Sequence, residues 1–407
     1  MIKIAQILTV LNGGAGISAF RLHESLRKQP DFDSCIVQRF YIENQEFAEK
    51  HNIITAPIAR SPFIRLRKKY NLHVEHFNGE HLNKCPRNYE VATFPWSSYR
   101  LEELPEVKNA DIIHLHWVSD FINFPSFFKN IKQPIVWTLH DMNPFQGMFH
   151  YEEDLEQNRE AFGDIDRKIL SEKIRSVHKN NKIHIVTPSQ WMKKKSVHSA
   201  VLGRYPHYVI PPGLDLSLYS ELDKPESKKI LGLENDFPIL MTIAQDINLK
   251  RKGADLFYNA VESLDINVNV VTVGGAKKEI TNSKVNHIHF DFISDVTKLN
   301  QIYSAADITI ISSREDNLPN TMLESFMNGT PVMSFSNGGM AEHVTTGTTG
   351  ILIEEISSNA LIKNIIDFLD NKYTFDRKAI RQYAVENFPD HKQVYSYAEL
   401  YKNISEM

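Results

Sequence analysis

Cysteine is almost missing from this chain. Of 407 residues only Cys35 and Cys85 are cysteines, far apart and in no Cys-x-x-Cys pair, which argues against a disulfide framework or a structural zinc site and for a reducing, cytoplasmic setting. Long apolar runs are missing too. The opening run after Met1-Ile2-Lys3 spans only about eight residues, far short of a bilayer, and lacks a small-residue cleavage site, so it is expected to be a first buried strand rather than a leader. No later stretch reaches the roughly 18 apolar residues of a membrane helix. An excess of positive charge is also absent: 46 basic against 50 acidic residues leave a net charge of −4, so the molecule is not built to coat a nucleic acid. Gly and Pro, at 17 and 18 positions, are too few for a collagen-like or low-complexity chain, and no repeat of 20–50 residues is visible.

What remains is an ordinary globular composition with room for two domains, or three small ones. Ile2 to Val10 reads as a strand, Asn12 to Gly16 as a glycine turn, and Ile17 to Leu26, with Phe20, Leu22 and Leu26 at helical spacing, as a helix. Short apolar runs at Ser34–Tyr41, Ala110–Trp117, Pro134–Leu139 and Ile183–Pro188 continue that alternation. After the turn-rich Ile210–Gly213 and a polar stretch to about Lys229, it restarts at Ile239–Ala244, with a helix near Ala254–Leu264 and further strands at Val268–Val273, His287–Phe290, Ile308–Ser312 and Pro331–Phe335. Alternation of this kind predicts an α/β chain of two doubly wound parallel sheets, whose ligands gather at the carboxyl ends of the strands. The cleft between two such units is where chemistry is expected.

Two stretches carry chemical meaning. Gly14-Ala15-Gly16-Ile17-Ser18-Ala19 satisfies Gly-x-Gly-x-x-Ala between a strand and a helix, where backbone N–H groups can receive a phosphate. A dinucleotide site would also want an acid at the end of the second strand, and only Glu43 stands near, slightly late. A phosphate- or hydroxyl-binding turn and a purely structural turn both remain open. The second stretch is Ser312–Val332. A strand ends near Ser312, a polar loop holds Asp316, and Met322, Leu323, Phe326 and Met327 form a helical stripe closed by Gly329. Glu324 follows Asp316 by eight residues, and between them the helix start at Asn320, Thr321 and Met322 is expected to offer N–H groups to a phosphate. Two carboxylates flanking such a seat suit sugar hydroxyls, a diphosphate and a ribose.

This second stretch resembles the E-x7-E motif of retaining GT-B glycosyltransferases of the GT4 group, with Asp316 and Glu324 in the acidic positions. The likeness runs over nearly the whole chain: Gly13-Gly14-Ala15 as the first glycine loop, Ala110–His116 as the D-(V/I)-(V/I)-H-x-H strand, Thr138–Asp141 as T-x-H-D, Ile185–Trp191, Ile210–Asp215, Lys252-Gly253 as the K-G pair, and Gly338-Gly339 with Glu342. The segment Thr138–Tyr151, with Phe145, Gly147, His150 and Tyr151, is most similar to the branch that builds bacterial exopolysaccharide, capsule and O-antigen, colanic-acid enzymes included. The resemblance implies a GT-B fold with an acceptor-side domain over 1–208, a nucleotide-sugar domain over 209–385 and a terminal helix over 386–407 that returns to the first domain. It implies that Glu324 accepts from ribose hydroxyls, that Asp316 contacts the transferred sugar, and that Lys252, with Arg251, neutralises the diphosphate. Asn320, Thr321, Met322, Leu318 and Gly274 complete the donor set. From the first domain, His140 would reach the donor sugar, while Gly13, Gly14 and His116 line the acceptor or phosphate loop. It implies no metal and no cofactor beyond a nucleoside-diphosphate sugar substrate, uridine mildly preferred over guanosine, and transfer with retention to a glycan or lipid-linked acceptor.

The chain departs from the pattern at several positions. Asp316 is a methylene shorter than the usual Glu, with Glu315 beside it as a substitute. Ile247 stands where an Arg is common, so Arg251 would take over that charge, and Pro212 replaces an Asn. The strings Asp31-Phe32-Asp33 and Asp164-Ile165-Asp166 need no metal. His114 and His116 alternate at a strand end, where structural and ligand-facing roles are both open; His23, His150, Trp117 and Trp191 read as packing residues. The basic run Arg60 to Lys69 reads as a solvated face, or as a contact with an anionic membrane surface or phosphate-bearing acceptor. A dinucleotide-dependent oxidoreductase, a glycosidase, a GT-B-fold sugar-nucleotide epimerase and a non-catalytic sugar-nucleotide-binding protein are the competing classes. A glycosidase would want its carboxylates about 5–5.5 Å apart across the scissile bond.

Overall fold

The computed structural model describes residues 1–58, 74–83, 89–220, 222–233, 235–244, 249–275 and 277–406. Arg60–Lys69, Cys85 and Ile247 lie outside the described residues. The chain forms two compact units, Met1–Pro211 together with the segment from Gln393 onward, and Pro212–Lys392. The break falls within the turn-rich Ile210–Gly213 because Leu214 already pairs with the far end of the second unit: its N–H donates to the Phe388 carbonyl (2.8 Å) and its carbonyl accepts from Asp390 (3.0 Å).

The first unit carries seven strands, β1 (Ile2–Leu8), β2 (Phe32–Gln38), β3 (Ile53–Thr55), β4 (Ile112–Leu115), β5 (Ile135–Thr138), β6 (Ile183–Thr187) and β7 (His207–Val209). They lie in the order β3-β2-β1-β4-β5-β6-β7, every pairing parallel. β4 and β5 are buried along their whole length, which is why they read as apolar runs rather than alternations. Chain order reverses between β1 and β4, and the crevice outside that reversal is where open parallel sheets bind ligands. The helix Asp390–Ser405 covers this sheet from Gln393 on: Val394, Tyr397, Leu400, Tyr401 and Ile404 pack with Ile4, Leu22, Phe32 and Val136.

The second unit holds β8 (Ile239–Ile243), β9 (Val268–Val273), β10 (Val285–Phe290), β11 (Ile308–Ile311), β12 (Val332–Phe335) and β13 (Gly350–Ile353). Their order is β10-β9-β8-β11-β12-β13, again all parallel. Here the reversal lies between β8 and β11. Each sheet has its own core, the first around Ile113, Phe127, Trp137 and Ile185, the second around Phe257, Val270, Ile310 and Ile351. β3 and β7, with three residues each, escaped the sequence reading because runs so short carry no period, and β13 (Gly350–Ile353) escaped it as well.

Candidate functional site

In the second unit the residues singled out from sequence converge at the β8/β11 reversal. β11 ends at Ile311, and Ser312–Pro319 loops over to the helix Asn320–Met327. From the other side comes the single helical turn Lys250–Lys252, ended by Gly253 at φ +66°. The two are stitched together by backbone and side chain: Arg314 N–H donates to the Arg251 carbonyl (2.7 Å), the Ser312 hydroxyl to the Lys252 carbonyl (3.1 Å), and the Arg251 guanidinium to the Glu315 carbonyl (3.0 Å). A Cβ on Gly253 would stand 1.8 Å from the Ser312 carbonyl oxygen, and one on Gly338, at φ +81°, 1.7 Å from that of Asp316. Only glycine lets three loops close this tightly.

The approach sets up a charge pair. Lys252 Nζ donates to Asp316 Oδ2 at 2.5 Å, and Arg251 Nη1 stands 3.8 Å from the same oxygen. Burial alone would raise the Asp316 carboxyl, but the Lys252 and Arg251 charges and the Lys252 hydrogen bond outweigh it and hold the group below the usual carboxylate range. Arg314, which sequence reasoning passed over although it stands two residues before Asp316, clamps Asp255 through both guanidinium nitrogens at 2.7 and 2.6 Å.

The rest of the expected donor set divides. Asn320 and Thr321 are half-buried at the helix start. Met322 does not belong with them: its N–H already donates to the Pro319 carbonyl (3.1 Å), and its side chain is in the core with Leu318, Leu214 and Phe326. The expectation that Met322 offers an unpaired N–H is therefore corrected, and Leu318 can present only backbone, because an apolar stripe buries its own side chains. Gly274 closes β9 at the same end of the sheet, its N–H on the Phe290 carbonyl (2.9 Å). Glu324, buried at 7% exposure, accepts from the buried hydroxyls of Tyr219 and Tyr303, each at 3.2 Å, one on either oxygen. Neither tyrosine carried a sequence signal, since both read as core aromatics. Each carboxylate oxygen has two acceptor sites, so a tyrosine on each does not by itself exhaust the group.

In the first unit Gly13 and Gly14 begin the helix Gly13–Arg27 directly after β1, Gly14 exposed. His114 lies in β4 and His116 just beyond it, and His140 follows β5. His114 accepts or donates at both ring nitrogens to Thr138 Oγ1 and Tyr401 hydroxyl, each 2.7 Å away, and is thereby a structural residue that ties down the terminal helix. His116 instead links His140 (3.2 Å) with Gln6 (2.9 Å). Burial lowers all three, His114 to about 3, His140 to about 4 and His116 well below its ordinary value, so they are neutral at pH 7. The signal for Gln6 was present: a polar residue in the middle of an apolar strand.

The loop after His140 is braced from beneath. Asp141 accepts from Trp117 Nε1 (2.7 Å), His150 Nδ1 (2.6 Å) and Asn143 N–H (3.0 Å). Lys173, 1% exposed, donates to the Asn143 and Gly147 carbonyls at 2.5 and 2.6 Å. His150 and Trp117 are accordingly bracing residues. Among the described residues no three His, Cys, Asp or Glu side chains converge as a metal ion would require, and no helix is long and apolar enough to cross a membrane.

The family model for glycosyl transferases group 1 matches residues 238–371, the part of the second unit that holds Lys252, Asp316 and Glu324. Among curated proteins the chain is similar to D-inositol 3-phosphate glycosyltransferases, 25% identical over 77% of this chain and 73% of the relative from Streptosporangium roseum, and 24% identical over 79% and 70% for that of Mycolicibacterium gilvum. Among solved structures it is similar to sucrose-phosphate synthase from Thermosynechococcus elongatus, with a TM-score of 0.71 at 18% identity over 99% of both chains. It is also similar to Anabaena HepE in complex with UDP-glucose, with a TM-score of 0.65 at 17% identity over 99% of this chain and 100% of that one. The two parallel sheets thus have the GT-B fold of these glycosyltransferase structures, and part of the second unit is similar to glycosyl transferases group 1.

Proposed function

We propose that this chain transfers a sugar from a nucleoside-diphosphate sugar to a hydroxyl of a glycan or lipid-linked acceptor, with retention of anomeric configuration, in the assembly of bacterial surface polysaccharide. The observation that carries the reading is the Lys252–Asp316 pair with Arg251 beside it at the β8/β11 reversal. A diphosphate arriving there meets two cations already fixed by backbone bonds, and charge fixed in advance stabilises a leaving group without reorganisation. Lys252 and Arg251 receive the developing diphosphate charge, with the start of the helix at Asn320 and Thr321. Asp316, released from sole possession of Lys252, accepts from hydroxyls of the transferred sugar. Glu324, anchored by two tyrosines, takes the ribose hydroxyls, and His140 contacts the transferred sugar.

The acceptor hydroxyl then attacks on the face the diphosphate leaves, and the departing phosphate oxygen takes its proton, so the protein positions and neutralises rather than supplying a base. No metal enters this reading, because the two cations serve the leaving group. The UDP-glucose bound by the similar Anabaena protein favours uridine. We place the work in the cytoplasm, with Arg60–Lys69 as a contact to the inner face of the membrane.

Thermal-shift measurements with UDP, GDP and their sugars test the assignment. A uridine nucleotide should raise the melting temperature of the wild type, and Glu324→Gln, which keeps shape and loses charge, should abolish the shift. No response to any nucleoside diphosphate, or a full response in the variant, would refute the site. Proton NMR of the product should show the donor's anomeric configuration preserved.

A further inference from the structure

Beneath His140 the first unit holds an unbroken line of buried polar groups that the reaction outlined above does not use. His23 Nε2 lies 2.7 Å from the His51 carbonyl oxygen, and His23 Nδ1 lies 2.9 Å from Ser34 Oγ. Gln6 Nε2 is 2.9 Å from the same hydroxyl, Gln6 Oε1 is 2.9 Å from His116 Nε2, and His116 Nδ1 is 3.2 Å from His140 Nε2. His23, Ser34, Gln6 and His116 are all at most 2% exposed, so water cannot substitute for any link.

We infer that the His51 carbonyl, acting through Gln6 and its neighbours, fixes the proton of His140 on Nε2, and that Gln6, Ser34, His23 and His116 are positioning residues for that ring. The argument runs one way because a carbonyl can only accept. His23 must therefore donate from Nε2, and as a neutral ring it then accepts at Nδ1. The single hydroxyl proton of Ser34 goes to that Nδ1, so Ser34 Oγ can only accept from its other neighbour. That neighbour must be the amide nitrogen of Gln6, which turns the amide oxygen towards His116. His116 donates from Nε2 to that oxygen, accepts at Nδ1, and takes the Nε2 proton of His140.

Polarity is thus relayed through five bonds, each choice forced by the one before. His140 keeps its lone pair on Nδ1, so whatever meets that atom must donate a hydrogen bond, as a sugar hydroxyl does; this last consequence rests on the proposed function, the tautomer does not. A second proton on His23 would let the whole line run backwards and one on His116 would reverse its last link, and burial holds His116 well below its ordinary value. The charged or titratable groups facing the His23 ring are Glu24, 3.7 Å away, and the more remote Arg27 and His51, and burial outweighs them, lowering the ring to about 4.

Long-range proton–nitrogen NMR of the full chain, with ring nitrogens labelled, reads the tautomer directly. In the wild type at pH 7, His23, His116 and His140 should each carry the proton on Nε2 and none on Nδ1. Gln6→Glu, close in shape, supplies a carboxylate that favours a second proton on His116; its Nδ1 then donates to His140, whose proton should move to Nδ1. Turnover should fall about tenfold, the worth of one hydrogen bond to the transferred sugar, with the donor KM changed less than about threefold. A wild-type Nδ1 proton on any of the three rings overturns the inference even if the variant fails to fold. So does a variant whose His116 is charged while His140 is unchanged. A reversed His140 with unaltered turnover leaves the relay standing and removes the sugar contact instead.

Discussion

Lys252→Met separates a binding role for this lysine from a structural one. The substitution removes an ammonium 2.5 Å from Asp316 Oδ2 and leaves Arg251, 3.8 Å from that oxygen, as the nearest remaining cation. At an effective dielectric constant of about 20 these attractions are about 7 and 4 kcal/mol before desolvation is subtracted, so Lys252 dominates the local field. The net worth of one charge-assisted hydrogen bond is about 1.5–3 kcal/mol, which is roughly a 10- to 150-fold change in an equilibrium constant. The turn that carries the lysine is held by backbone bonds, Lys252 N–H to Leu249, Gly253 N–H to Lys250 and Arg314 N–H to Arg251, so its shape does not depend on the side chain. Isothermal titration of UDP should therefore give a dissociation constant weakened by that factor, with the far-ultraviolet spectrum unchanged and a smaller loss in Arg251→Met. Wild-type affinity in Lys252→Met, with a melting temperature several degrees lower, would show that the lysine only ties two loops together and would refute its assignment to the diphosphate.

Two further outcomes follow from groups away from the diphosphate. Burial lowers the Lys173 amino group to about 7, and Lys173→Met takes this donor from the carbonyls of Asn143 and Gly147; leaving two buried acceptors unpaired costs about 2–6 kcal/mol, or roughly 4–24 °C in melting temperature, and a change under about 2 °C in a calorimetric scan would contradict it. The pH dependence of stability should have a histidine window. His23 and His140 titrate near 4 in the native state against 6.5 when exposed, so below 6.5 the unfolded chain binds more protons and stability falls as pH drops to about 4. Asp141 and Asp316, whose native values are lowered, lose their contribution only at more acidic pH. Denaturant midpoints flat between pH 7 and 4.5 would refute the burial of these rings in neutral form.

How much was legible beforehand depends on what kind of signal each residue leaves. Apolar runs such as Ile112–Leu115 and Ile308–Ile311 announce buried parallel strands, because a strand covered on both faces has no polar side to show. Gly253 and Gly338 are visible as glycines, though only the closeness of Ser312 and Asp316 explains them. Met322 and Leu318 mislead, since a helix start that offers backbone to a ligand also carries side chains that belong to the core. Lys173 was silent: a lysine on a long helix reads as solvated until a loop is seen folded over it.

The order of its residues alone therefore settled that this protein is α/β, that its strands run parallel and where its acidic and basic motif lies, because periodicity and turn chemistry are local properties. Tertiary structure decided which of those residues meet: that Lys252 rather than Arg251 holds Asp316, that two tyrosines grip Glu324, and that a carbonyl at residue 51 governs a histidine at 140. Such pairings depend on strand order and loop closure, which bring together groups as far apart in the chain as His114 and Tyr401, 287 residues, and no local pattern encodes them.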